Sequence, residues 1–287
     1  MSTTTFSQPS KSILFISATG GIALSTLKRC LAASSSGPSR LTITVLARSP
    51  TRLQALFSPT ELASPSLRII QGNAHSTSDI VPVLTHPSDP TTLVDIIITG
   101  IGAKPDMKKL TVDDPHVCEK GARALMEALG QVQSTTSGSG SASGTGTETS
   151  IERRQKKPYI IAISAAGAST LHREYPLALY PVHALLLKAA IKDKRAMERV
   201  LVENNDQNEK WTVIRPSMLT DKPEIGLDKV RVAVEDLVNN KLEGEKKVVG
   251  YTISREDVGK WIFERLVVVG DEGERRKYLG RAVVLSY

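Results

Sequence analysis

From Ser12 onward the chain alternates short runs of Ile, Val, Leu and Thr with longer stretches whose apolar residues recur at helical spacing. Strands separated by helices pair in parallel through right-handed crossovers, so the pattern restricts the fold to a parallel sheet covered by helices. The spacing predicts strands over 12–17, 41–47, 67–71, 94–99, 159–164 and 212–215. Helices are predicted over 22–33, 49–57, 77–84, 115–129, 179–204 and 255–268. A chain that is 40% hydrophobic but only 4% aromatic builds its core from aliphatic side chains, which suits strands buried on both faces.

The remaining segments fit around one such sheet. Residues 1–11 are polar and expected to be disordered, leaving 12–287 as a single domain. QVQSTTSGSGSASGTGTETS and the basic stretch after it, 131–157 in all, cannot bury apolar area and read as a flexible loop insertion. Beyond Pro216 lies a small C-terminal region on the substrate side, too short for a core of its own. In it RVAVEDLVNNKLEGEKK reads as a solvated helix and turn, and Ser254 with Asp257 as a capping box. Trp211 and Trp261 are expected in core or hinge packing.

Other classes are disfavoured. Cys30 and Cys118 have no ligand-like spacing, and His75, His86, His116 and His172 read as surface residues, so no metal is expected and a reducing compartment is. With no apolar leader and no run of about 18 apolar residues, the reading is a cytoplasmic protein without a membrane partner, a monomer or weak homodimer. The net charge of +7 is scattered and aromatics are scarce, which argues against nucleic acid and for an anionic small-molecule ligand.

ILFISATGGIALSTL, 13–27, supplies that ligand's site. A dinucleotide-binding turn needs small residues for the tight turn, for the approach of the diphosphate and for packing helix on strand; here they are Ser17, Gly20 and Ala23. Serine suffices at the first place if its φ is negative. Gly21 adds freedom, and the helix beyond offers free N–H groups. LARSPTRL puts Arg48 at the end of the second strand and Arg52 a turn later, where basic residues accommodate a 2′-phosphate and so favour NADP over NAD. The expected fold is thus an α/β, Rossmann-type doubly wound sheet.

SATGGIA, VLARSPTRL, IIQGNA, VDIIITGIG, IAISAAG, DKRAMERVL, WTVIRPSMLTDKP and YTISREDVGKWI occur in that order. In this the chain resembles the atypical short-chain dehydrogenase/reductases of the NAD(P)H-binding, NmrA-like type, a group that includes the flavin reductase biliverdin reductase B. The resemblance implies that Thr19, Gly20, Gly21 and Ile22 hold the diphosphate in the turn begun by Ser17, and that Arg48 and Arg52 hold the 2′-phosphate. It further implies Asn73 and Ala74 at the adenine, Gly100, Ile101 and Gly102 at the ribose, and Pro216 beside the nicotinamide.

The resemblance also implies a proton-donating tyrosine four residues before a ribose-binding lysine. Lys194 takes the lysine's place, but Ala190 stands where the tyrosine would, and Ala165 replaces the serine that polarises a carbonyl, leaving Ser164 one place earlier. Tyr175, Tyr180 and His183 are the candidate substitutes. An NADP-dependent oxidoreductase follows, transferring hydride to a carbonyl, enone, quinone or flavin. Two alternatives stay open: a sensor that binds NADP without turnover, and a non-redox isomerase, dehydratase or pericyclic catalyst.

Overall fold

In the computed structural model one sheet carries nine strands: β1 (Lys11–Ile16), β2 (Leu41–Ala47), β3 (Leu67–Gln71), β4 (Ile96–Thr99), β5 (Tyr159–Ile163), β6 (Trp211–Pro216), β7 (Arg231–Asp236), β8 (Lys241–Glu243) and β9 (Arg281–Ser286). The structure describes residues 11–36, 41–103, 105–106, 111–138, 157–182, 184, 187–205, 210–244, 247–268 and 272–287. The spatial order is β8-β7-β9-β6-β5-β4-β1-β2-β3. All neighbours from β3 to β9 are parallel, and β7 and β8 close the far edge antiparallel. The chain runs outward from β1 through β2 to β3 and then returns to place β4 on the other side of β1. Ligands of such sheets bind beyond the strand ends at this switch point.

The sequence builds this sheet by alternation. Ile13 and Phe15 of β1 join Ile43, Val45, Ile96, Ile98 and Ile161 in one core, whereas Leu14 and Ile16 join Leu46, Ile97, Ile160 and Ala162 in another. Both faces are buried, so these strands are apolar throughout. Helices α1 (Gly21–Ser36) and α4 (Arg255–Ile262) cover the first face with Leu27, Leu31, Trp261 and Ile262. Helices α2 (Val117–Gly138) and α3 (Lys188–Glu203) cover the second with Leu125, Leu129, Met197 and Leu201. Both tryptophans are core: Trp211 is buried with its indole N–H on Asn205 Oδ1, and Trp261 packs edge-on to Tyr278.

The C-terminal third departs from expectation. RVAVED is strand β7, not a solvated helix: Val232 packs on the first core while Ala233 is buried opposite it, a period of two. The hairpin to β8 turns through Asn240 at φ +50, a left-handed conformation that asparagine tolerates. Strand β9 runs between β6 and β7, so this region extends the one sheet. The long helix expected from Leu179 starts at Lys188, preceded by short turns at Leu177–Leu179 and Tyr180–Val182. The helix expected to end at Leu129 continues to Gly138, so the first residues of the expected insertion are helical. Its residues 139–156, like residues 1–10, lie outside the described residues. Among the described residues no helix is long and apolar enough to cross a membrane, and no acidic, His or Cys cluster could hold a metal.

Candidate nucleotide and substrate site

The turn after β1 makes the expected demands but meets the first differently. Ser17 sits at φ +63, in the left-handed region and not at the negative φ expected of it, and its N–H reaches Leu46 O at 3.3 Å. The tight turn keeps its glycine-like geometry, and serine adopts it at a cost of about 1–2 kcal/mol. Gly20 opens onto space: a Cβ there would meet no atom within 4 Å. Gly100, beyond β4, is the opposite case, since a Cβ would lie 2.8 Å from Ala23 Cβ and 3.0 Å from Ser17 O. Ala23 and Gly100 thus bring helix and strand ends together, leaving an open backbone cradle at Thr19 and Gly20, both exposed. A diphosphate fits that cradle, at the N-terminus of α1.

The residues expected on the adenosine side follow the ends of β2, β3 and β4. Arg48 and Arg52 are exposed beyond β2, their side chains making no hydrogen bond or ion pair among the described residues. Asn73 is exposed beyond β3; its N–H donates to Asp79 Oδ2 at 2.7 Å and its Oδ1 accepts from His75 N–H. Ala74 packs against the second core, as buried Ile101 does, whereas Gly102 is exposed with nothing near a would-be Cβ. Ile22 is buried and serves packing, not the ligand directly.

On the other side lies a cavity of about 270 Å³. Gly102, Ser164, Lys194 and Pro216 line it together with Leu179, Leu187, Ala190, Met218 and Leu219. Lys194 Nζ donates to Ile101 O and Ile163 O, both at 2.7 Å, and so ties the ends of β4 and β5. Ala190, a helical turn earlier, presents only a methyl group. Tyr175 and Tyr251 also line the cavity, but Tyr180 does not; it is 58% exposed. His183 lies outside the described residues. Cys118 at the cavity wall is no nucleophile, because burial pushes its thiol up to about 11. Asp193 is occupied in capping α2, accepting Cys118 N–H at 2.9 Å and Glu119 N–H at 3.0 Å.

Behind the cavity is a charge cluster that sequence reasoning missed. Arg215 of β6 is 1% exposed and surrounded by three carboxylates, those of Glu174, Glu198 and Glu235. Ser164 Oγ donates to Glu198 Oε1 at 2.5 Å and Ser169 Oγ to Glu235 Oε2 at 2.6 Å, so the Ser164 hydroxyl is engaged away from the cavity. Glu174 accepts Gly167 N–H at 2.6 Å and Ser169 N–H at 3.1 Å. Burial nonetheless raises its pKa, outweighing Arg215 and these two N–H donors, with Glu198 adding a smaller push in the same direction. His172 is not a surface residue: its side chain is 4% exposed, and Nδ1 lies 3.7 Å from Glu235 Oε2. Burial, reinforced by Arg215, lowers its pKa despite Glu235. The signal available was an arginine inside the apolar strand WTVIRP, whose charge demands buried acids.

A doubly wound sheet with an open glycine cradle at its switch point and a cavity beside it defines a dinucleotide-dependent Rossmann protein. The chain belongs to the NAD(P)H-binding family, which matches residues 17–267. It is 33% identical to a reductase of Aspergillus terreus, pytE, over 96% of this chain and 97% of that one. It is 31% identical to an oxidase of Aspergillus niger, pynE, over 90% of this chain and 93% of that one. Among solved structures, the oxidoreductase ylbE of Lactococcus lactis superposes with a TM-score of 0.56 at 16% identity, covering 96% of this chain and 90% of that one. A Streptococcus pneumoniae protein provisionally assigned as an NADH-flavin reductase gives 0.53 at 14% identity, covering 96% and 99%. The chain is therefore of oxidoreductase type, with a nicotinamide dinucleotide as cofactor.

Proposed function

We propose that the protein is an NADP(H)-dependent reductase acting on a neutral, largely apolar organic acceptor whose reacting end is a carbonyl, enone, quinone or flavin. The observation that carries this reading is that Gly102, Lys194 and Pro216, expected at the ribose and nicotinamide, line one cavity with Leu179, Leu187, Met218 and Leu219. Redox chemistry is supported by the names of both relatives, one a reductase and one an oxidase.

The cradle at Thr19 to Gly21 would hold the diphosphate, and Arg48 with Arg52 the 2′-phosphate, which is the reason for choosing NADP. The bound nicotinamide supplies hydride. Lys194 fixes the floor of the site and offers its ammonium to the ribose. The apolar wall excludes water and orients the acceptor. Ala190 can supply no proton; of the two tyrosines at the cavity wall, Tyr175 and Tyr251, we assign the role to Tyr175, and for a flavin or quinone solvent suffices. Ser164 acts from its bond to Glu198, positioning the wall.

A second reading, an NADP-binding sensor without turnover, is favoured by Ala190. One experiment separates them: titration with NADPH and NADH followed by nicotinamide fluorescence, then NADPH oxidation with flavin, quinone and enone acceptors. Tight, NADPH-selective binding with turnover is the result expected. Binding without turnover on any acceptor supports the sensor, and absence of binding overturns both.

A further inference from the structure

Helices α1 and α4 lie side by side and parallel, as a matched register shows. A Cβ added at Gly21 would meet Arg255 Cδ at 2.6 Å and Nε at 2.8 Å; a Cβ added at Gly259 would meet Ser25 Oγ at 2.2 Å. Residue 21 thus faces 255 and residue 25 faces 259, so one helical turn on either helix matches one on the other. The pair brings the first residue of α4 to the phosphate turn that opens α1. There the missing side chain of Gly21, at φ +36, is what leaves room for the arginine.

What Arg255 does in that position is unexplained by the fold. Its one partner among the described residues is Asp221, Nη1 to Oδ1 at 2.6 Å, and the Asp221 side chain is 90% exposed. An ion pair with so solvated an acid contributes little. Its Nε and Nη2 have no acceptor among the described residues. No acidic residue lies in the first turn of α1 to compete for it. A partly buried arginine side chain, 31% exposed, is therefore held beside Gly21 at the end of the turn with donors to spare.

We propose that Arg255 is a dinucleotide-binding residue that closes over the diphosphate from α4. It exchanges the exposed carboxylate of Asp221 for phosphate oxygens, a geometry its planar fork suits. The backbone N–H groups of the turn then bind the diphosphate from below and Arg255 from the side, joining the C-terminal region to cofactor capture. This rests on the assignment of the cradle to a nicotinamide dinucleotide.

The test is fluorescence or calorimetric titration of NADPH, NADH and ADP-ribose into the parent chain and the variants Arg255→Ala, Arg255→Lys, Asp221→Asn and Arg48→Ala. Arg255→Ala is expected to weaken all three ligands by the same factor, about tenfold or more, with Arg255→Lys in between. Arg48→Ala is expected to weaken NADPH alone. Asp221→Asn breaks the same ion pair without removing the guanidinium, so it should leave the affinities unchanged or tighten them. Unchanged affinities in Arg255→Ala overturn the proposal, as does an equal loss in Asp221→Asn, which would make the pair a brace. Loss confined to NADPH would also overturn it by moving Arg255 to the 2′-phosphate. If the parent chain binds none of the ligands, the cofactor assignment has failed instead.

Discussion

Arg215 grips Glu198 at two points, Nε to Oε1 at 3.0 Å and Nη2 to Oε2 at 2.6 Å, with side chains 2% and 6% exposed. Through Nη1 the same guanidinium reaches Glu174 and Glu235, each at 3.0 Å, so β6, α3, β7 and the segment before the cavity meet on one cation. Replacing it by an apolar side chain strands three buried carboxylates. Arg215→Met should cost about 3–5 kcal/mol in urea unfolding, whereas Glu198→Gln, which keeps an acceptor, should cost less. Parent-like stability of Arg215→Met would mean that the cluster is not the clamp the geometry describes.

The same cluster makes stability depend on pH in two senses. The pKa of His172 is lowered by burial, so its contribution is complete above the ordinary value of 6.5 and is lost as pH falls through the lower folded value. That of Glu174 is raised by burial, so its contribution is complete below the ordinary 4.5 and is lost as pH rises through the higher folded value. Unfolding measured from pH 7.5 down to 5 should therefore fall less steeply in His172→Gln than in the parent. Glu174→Gln should remove a decline of the opposite sign. Parallel curves for parent and His172→Gln would place this imidazole outside the linkage.

Much of this fold was legible because β-branched and aliphatic runs spell strands out: the buried LTITVLA and the half-exposed edge strand LRIIQ begin and end where their residues predict. Strand β7 was hidden because its inward side chains include Glu235 and Asp236, acids whose burial depends on Arg215 and Asn239, partners no local pattern reveals. The capping serine was legible and its acid was not. Ser254 Oγ accepts Asp257 N–H at 2.9 Å and donates to Asp257 Oδ2 at 3.1 Å, but the reciprocal bond of a capping box is missing: Ser254 N–H donates to the Tyr287 hydroxyl, and the Asp257 carboxylate also serves the distant Ile225 and Gly226 N–H groups and that hydroxyl. Likewise the glycine turn after β1 is local and readable as a turn, whereas which tyrosine of the 175–180 segment reaches the cavity depends on how that segment folds back.

Ser17 is where local preference and tertiary demand conflict. At φ +63 it holds a conformation that costs an ordinary side chain about 1 kcal/mol or more and glycine almost nothing. Ser17→Gly should therefore stabilise the protein by up to about 1 kcal/mol, the relief exceeding the added freedom of the unfolded chain. Ser17→Val should destabilise it, since a β-branched residue tolerates positive φ worst. Thermal unfolding of the two variants tests this, and cofactor affinity should survive in Ser17→Gly because the cradle at Gly20 keeps its shape.

Lys194 separates the residues brought to the cavity from those that are not. Its two hydrogen bonds to Ile101 O and Ile163 O fix the ends of β4 and β5, so Lys194→Met should cost about 1–3 kcal/mol in stability by removing a charged donor from two carbonyls, leaving Ile101 O only the weak Cys118 thiol donor. If the ammonium also holds the nicotinamide ribose, kcat/KM should fall by more than tenfold, and NADPH affinity with it, at a temperature where the variant is fully folded. Tyr180→Phe should leave both within about twofold, because that side chain lies outside the cavity wall. Tyr175→Phe should lower kcat with a carbonyl acceptor, which needs a proton at oxygen as hydride reaches carbon, and change little with a quinone or flavin that draws its proton from solvent. Were Tyr175→Phe inert on every acceptor while Tyr180→Phe was not, the proton would enter from the outer face of the segment, and the cavity's role would be confined to binding.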